Sequence, residues 1–261
     1  MLVDIGLNLS SDRYDQDRRD VVARALAAGV TRLILTGTSV AESAAVVRLA
    51  REHAPYCLAT VGVHPHEASQ LDESGLDTLR ALLREPGVVA VGETGLDFNR
   101  NFSPPAAQEK AFLMQIGLAG EYDLPLFLHE RDASARQLDL LRATRDSWNS
   151  GVLHCFTGSR EALFGYLDLG LHIGITGWVC DERRGQELAA LVKEIPADRL
   201  LLETDGPWLL PRDLPQKPGD RRNEPAFLPH IAAAVARLRG EDVDALAAIT
   251  TANARRLFRF D

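Results

Sequence analysis

Val88-Val89-Ala90-Val91-Gly92-Glu93-Thr94-Gly95-Leu96-Asp97 sets a carboxylate directly behind a short apolar run. The run has no polar alternation and is rich in valine, so Val88–Gly92 reads as a strand covered on both faces, the habit of parallel sheets. Outward from it the same pattern recurs. Leu2–Leu7, Arg32–Thr36, Cys57–Val63, Leu126–Leu128, Val152–Cys155, Leu171–Ile175 and Leu200–Thr204 are companion runs, eight strands in all. Eight is the number a closed parallel barrel requires.

Helical patterns fill the intervals. Asp17–Ala28 places Val21, Val22, Ala25 and Leu26 on one stripe, and Ser39–Glu42 forms a capping box for a helix through Leu49. Leu76–Leu83, Ala106–Glu121, Ala133–Leu141, Glu187–Lys193, Leu228–Leu238 and Val243–Phe258 continue the alternation. The expected architecture is α/β: a TIM-type (β/α)8 barrel of one domain, residues 1–261. A doubly wound open sheet would usually place G-x-G-x-x-G after its first strand. Gly6-Leu7-Asn8-Leu9-Ser10 stands there instead, which favours the barrel.

The chain carries 29 Lys and Arg against 37 Asp and Glu, a net charge of -8. This excludes a broad basic grip on duplex DNA but leaves nucleic acid open as a substrate, because metal ions and local arginines can neutralise phosphates. Cys57, Cys155 and Cys180 are scattered and form no C-x-x-C pair, so a reducing cytoplasm is expected. The start, Met1-Leu2-Val3-Asp4, has no basic and apolar leader, and no run approaches a membrane span. No obligate protein partner is indicated.

In a barrel the chemistry gathers at the C-terminal ends of the strands. Those ends carry Asp4 and Asn8, His64 and His66, Glu93, His129, His154, and Asp205 with Glu203 before it. Glu93, His129, His154 and Asp205 make a mixed nitrogen and oxygen set for a divalent cation. Glu93 and Asp205 are the candidate catalytic residues, Asp205 as a ligand or as the acceptor of a proton from water. Glu203 shares strand parity with Asp205 and would orient it. His64-Pro65-His66 is a stiff turn that either contacts a phosphate or is simply a rigid loop. Asp97 reads as a loop-organising acid, and Cys155 as a packing residue turned away by strand alternation. Arg183-Arg184, Lys217 and Arg221-Arg222 could hold phosphates, and Phe98, Phe102, Trp178 and Trp208 could stack bases.

Gly92-Glu93-Thr94-Gly95-Leu96-Asp97, Gly62-Val63-His64-Pro65-His66, His154-Cys155-Phe156-Thr157-Gly158 and Glu203-Thr204-Asp205-Gly206-Pro207 together resemble the signatures of the TatD family of metal-dependent deoxyribonucleases. Gly174-Ile175-Thr176-Gly177-Trp178 and Arg222-Asn223-Glu224-Pro225 match too, so the likeness runs nearly end to end. It implies a TIM-type barrel and a divalent metal, with Mg²⁺ first, Mn²⁺ and Zn²⁺ as alternatives, and one or two ions. It also implies 3′→5′ exonuclease activity preferring single-stranded DNA ends, with RNA as a further candidate substrate, in DNA repair. Residue by residue, it assigns metal binding to Glu93, His129, His154 and Asp205 and brings His64 and His66 near the substrate. Many members begin Asp-x-His-x-His, whereas this chain has Asp4-Ile5-Gly6-Leu7-Asn8. Glycine cannot ligate and asparagine ligates weakly, so one metal position is expected to be weaker.

Two other classes remain at this level. An amidohydrolase or lactonase acting on a small-molecule C–N or C–O bond would use the same ligands; the absent first-strand histidine pair and the arginine-rich loops count against it. A non-catalytic binding protein would have no need of so complete a ligand set.

Overall fold

The computed structural model describes Met1–Asp261. Its strands and helices alternate: β1 (Leu2–Leu7), α1 (Arg18–Ala27), β2 (Val30–Leu35), α2 (Val40–Glu52), β3 (Cys57–Val61), α3 (Glu73–Leu82), β4 (Val88–Asp97) and α4 (Pro105–Tyr122). Then come β5 (Leu126–Arg131), α5 (Ser134–Ala143), β6 (Gly151–Leu153), α6 (Arg160–Asp168), β7 (His172–Ile175), α7 (Gln186–Leu191), β8 (Leu200–Leu202), α8 (Leu228–Arg239) and α9 (Val243–Phe258). The strands form one eight-stranded sheet ordered β1 to β8, a parallel β/α barrel. No helix is long and apolar enough to cross a membrane. Packing groups the chain into two compact units: residues 36–154 with 160–172, and residues 1–35 with 155–159 and 173–261.

In the first of these units β3, β4, β5 and β6 pair in parallel. The expected end of β4 at Gly92 is corrected here: the strand runs on to Asp97, with Gly95 opposite His129 and Asp97 opposite Arg131. The extension depends on two glycines. Gly92 and Gly95 have φ of +148° and +143°, and a Cβ on them would lie 2.2 Å from the Phe127 carbonyl oxygen and 2.0 Å from that of His129. Only glycine permits both the conformation and the approach. Glu93 and His129 therefore stand inside strands rather than just beyond them.

In the other unit β1 pairs with β2 and β7 with β8. The chain after β8 returns to β1: the Asp205 amide donates to the Gly6 carbonyl at 2.9 Å and the Asn8 amide to Gly206 at 2.8 Å. β1 is buried at all six positions, including Asp4. That carboxyl accepts from the Thr204 amide and hydroxyl at 2.9 and 2.5 Å and from the Gly6 amide at 3.3 Å. Burial outweighs these donors and pushes the acid up to about 7. Asp4 thus pins the end of β8 to β1.

Arg222 donates to both oxygens of Asp17 at 2.7 Å, while Arg24 forks onto Glu224 at 2.8 and 2.7 Å and reaches Asp17 at 2.9 Å. Arg222 also lies over the Tyr14 ring. The Arg222 that sequence offered as a phosphate holder is committed to fastening the loop before α8 to α1. Hydrogen bonds from Arg222 hold the Asp17 carboxyl at about 2, against 3.8 ordinarily. The unfolded chain protonates near 3.8 and the fold only near 2, so this stabilisation is complete above pH 4 and drains away between about pH 4 and 2. Asp17→Asn is expected to cost about 1 kcal/mol at pH 7 after solvent screening, and to remove this share of the acid-side slope. Urea unfolding across pH 2–7 checks it; parallel slopes in parent and variant would refute the assignment.

Candidate metal centre

Within residues 36–154, four consecutive strands deliver imidazoles and carboxylates to one place. His64 follows β3, Glu93 and Asp97 come from β4, His129 from β5, and His154 follows β6. One oxygen, Glu93 Oε1, has His154 Nε2 at 2.7 Å, His129 Nδ1 at 3.0 Å and His64 Nε2 at 3.5 Å. Burial opposes the charge on Glu93, but His154 and His129 outweigh it and hold the carboxyl well below the usual range. Burial likewise pulls His129 down; its carboxylate neighbours Asp97 and Glu93 prevail and raise it.

The imidazoles are not equivalent. His64 Nδ1 accepts the His66 amide hydrogen at 3.1 Å, so the ring proton of neutral His64 belongs on Nε2, facing Glu93. Burial pushes His64 down to about 3, so it is neutral near pH 7 and offers an N–H donor. His129 Nε2 is different: it is buried with no hydrogen-bond partner and faces Asp97 Oδ2 at 3.5 Å. At ion-pair range from a carboxylate but outside hydrogen-bond geometry, this ring nitrogen is open to a ligand. His64, Glu93 and His129 place ligand-type atoms within 4.8 Å of one another, and His154 shares Glu93 Oε1 with them. The set suits a divalent cation.

Asp97, buried at the end of β4, accepts from the amides of Asn99 and Arg100 at 3.0 and 2.8 Å, and its Oδ2 meets His66 Nε2 at 2.8 Å. Burial works against its charge, but facing His129 and the Arg100 amide hold the carboxyl well below its ordinary value. His66 also packs edge-on against Phe102, which is 68% exposed. Three buried glutamines hold the backbone around these groups. Gln115 clamps Val63 through both N–H and C=O, at 2.7 and 3.0 Å. Gln108 does the same to Asp97, at 2.8 and 3.0 Å, and Gln137 accepts the Leu96 amide at 2.8 Å. Sequence reasoning missed them. The signal was a seven-residue spacing that puts Gln108 and Gln115 on the buried face of α4.

In the unit holding β1 and β8, Asp205 Oδ1 accepts from Asn8 Nδ2 at 3.1 Å. Asn8 thus orients the carboxylate by donating to it. Glu203 is fully buried and accepts the Cys155 amide at 2.5 Å. Cys155 has φ of +48°, so β6 stops at Leu153 and the strand alternation that turned Cys155 outward does not reach it.

Residues 3–259 match the family model described as TatD related DNase. The chain belongs to that family. It is 56% identical over 257 residues to the 3′-5′ ssDNA/RNA exonuclease TatD of Salmonella typhimurium, covering 98% of each chain. It is 57% identical to the protein of the same description from Erwinia amylovora, covering 98% of this chain and 99% of that one. Among solved structures, the TatD homolog YJJV from Escherichia coli is similar with a TM-score of 0.90 at 28% identity, covering 100% and 98% of the two chains. An uncharacterized amidohydrolase from Saccharomyces cerevisiae shares the fold at 22% identity, TM-score 0.87, with 98% and 99% covered. TatD relatives by sequence outweigh that likeness, which extends to fold alone.

Proposed function

We propose that this TatD-family chain is a divalent-metal-dependent 3′→5′ exonuclease acting on the ends of single-stranded DNA and RNA, with Mg²⁺ as the ion. The observation that carries the reading is the convergence of three imidazoles on Glu93 Oε1, beside a His129 Nε2 that makes no hydrogen bond. The curated relatives with more than half their residues identical bear that activity in their descriptions. Glu93, His129 and His154 hold the ion, and Asp205 serves as a further ligand or as the base, a role in keeping with its orientation by Asn8. Once bound, the ion lowers the pKa of water towards about 7 and neutralises charge on the phosphate.

The protein's own groups do the rest. As the base, Asp205 would take the proton of the attacking water. His64, held neutral with its proton on Nε2, keeps Glu93 oriented beside the substrate. His66, kept in orientation by Asp97, faces the substrate. Exposed Phe102 and Trp208 are available for stacking on unpaired bases. The net charge of -8 agrees with a preference for frayed ends over long duplex. Free cysteines, two of them buried, are in keeping with a cytoplasmic setting, and a part in DNA repair follows the family resemblance. The amidohydrolase reading has less support, resting on relatives by fold.

Release of nucleotides from 3′-labelled and 5′-labelled single strands, with and without chelator, tests the proposal. Label is expected to leave first from the 3′ end, to stop in chelator and to return with added Mg²⁺. Equal release in chelator would remove the metal role; turnover of cyclic amides without turnover of oligonucleotides would favour the alternative.

A further inference from the structure

A second group of ligand-type side chains converges at positions that belong to none of the signature motifs quoted above. Cys180 closes the short 3-10 turn Gly177–Cys180 after β7, Asp213 lies in the loop after β8, and His230 is in the first turn of α8. The Cys180 sulfur, an Asp213 oxygen and a His230 nitrogen all lie within 4.8 Å of one another. His230 Nε2 meets Asp213 Oδ1 at 2.6 Å. We propose that Cys180, Asp213 and His230 form a separate metal site for a borderline-soft divalent ion of the Zn²⁺ class.

The donor chemistry chooses the ion. Thiolate, imidazole and carboxylate together are a zinc-type set, whereas Mg²⁺ keeps to oxygen. Bonds of about 2.0–2.3 Å in a tetrahedron put neighbouring ligand atoms about 3.3–3.8 Å apart, so side-chain adjustment alone closes the trio around an ion. The thiol is buried, while the side chains of Asp213 and His230 remain 40% and 27% exposed, giving the ion a sheltered soft ligand and a path from solvent. The thiol and the imidazole both meet the Asp213 carboxylate, which stands between them as the shared ligand. The adjacent cation is engaged elsewhere: Arg212 points at Glu182 and Asp181, at 3.4 and 3.7 Å. Arg237 on α8 is the remaining positive group that Cys180 senses. Capture of the ion sends the thiol proton to solvent, moves the ring proton of His230 from Nε2 to Nδ1, and exchanges the His230–Asp213 hydrogen bond for two bonds to the metal. It fastens the loop after β8 to α8 and to the turn after β7.

The test is a Cd²⁺ titration of the full-length, chelator-stripped chain, reading the ultraviolet thiolate-to-cadmium band, followed by competition with Zn²⁺. One equivalent is expected to develop the band in the parent, in Cys155→Ser and in Glu93→Gln, and Zn²⁺ is expected to abolish it. Cys180→Ser should show no band, and His230→Gln should bind at least about tenfold more weakly. No band in the parent with Cd²⁺ in excess, or an undiminished band in Cys180→Ser, would overturn the site. Should Cys180→Ser fail to fold, the partly exposed His230→Gln decides alone, unchanged affinity refuting the assignment.

Discussion

Glu93→Gln is expected to lower nucleotide release at least about a thousandfold, a loss of the size seen when a group acting directly on the reacting centre is removed. The two side chains have nearly the same shape, so the packing around them survives. What changes is the charge at the oxygen on which His154, His129 and His64 converge. An amide binds a divalent cation weakly and presents an N–H₂ edge where a donor has no use. The His129 imidazole also loses one of the two carboxylates that raise it. Single-turnover digestion together with bound-metal analysis gives the check. A kcat/KM within tenfold of the parent would show that Glu93 is not the hub of the site.

Gly95→Ala is expected to destabilise the fold by about 3 kcal/mol and to cut activity by more than about a hundredfold. The methyl group would stand 2.0 Å from the His129 carbonyl oxygen and 2.9 Å from Gln137 Oε1, at a φ of +143°. Backbone strain of this kind costs about 1–3 kcal/mol before the clash is counted. Relief requires β5 to move at His129, and a misplacement near 1 Å at a reacting group is worth about a hundredfold in rate. Gly117→Ala serves as the comparison, since it lies in α4 with nothing within 4 Å of its added carbon. That change is expected to stabilise by about 0.4–1 kcal/mol. Urea unfolding of both variants beside the activity assay decides the matter; similar, small effects at the two positions would mean that the close approach of β4 to β5 is unimportant.

The barrel was legible because most apolar runs are followed by a helix-period stretch, and period is a local property of sequence. β1 and α9 lie where expected to the residue, as Leu2–Leu7 and Val243–Phe258. β4 was read five residues short, since Gly92 and Gly95 look like strand breakers when no partner strand is in view. Had the strand been continued, the two-residue alternation would have put Glu93, Gly95 and Asp97 on one side. The clustering of His64, Glu93, His129 and His154 comes from four consecutive strands, each of them marked in the sequence by its apolar run. What each imidazole does was hidden, because it depends on the His66 amide reaching His64 Nδ1 and on Asp97 facing His129. Arg222 shows the opposite failure: a basic pair in a loop reads as free, and only the fold brings Asp17 to it.

The glutamine clamps have a consequence for motion. The amides of Val63, Leu96 and Asp97 end on buried carboxamides of α4 and α5 instead of on water or a neighbouring strand. Their deuterium uptake should accordingly keep pace with the slowest protons of the interior, because freeing them means lifting whole helices rather than fraying a loop. The segments bearing His64 and Asp97 would then be rigid before any substrate arrives.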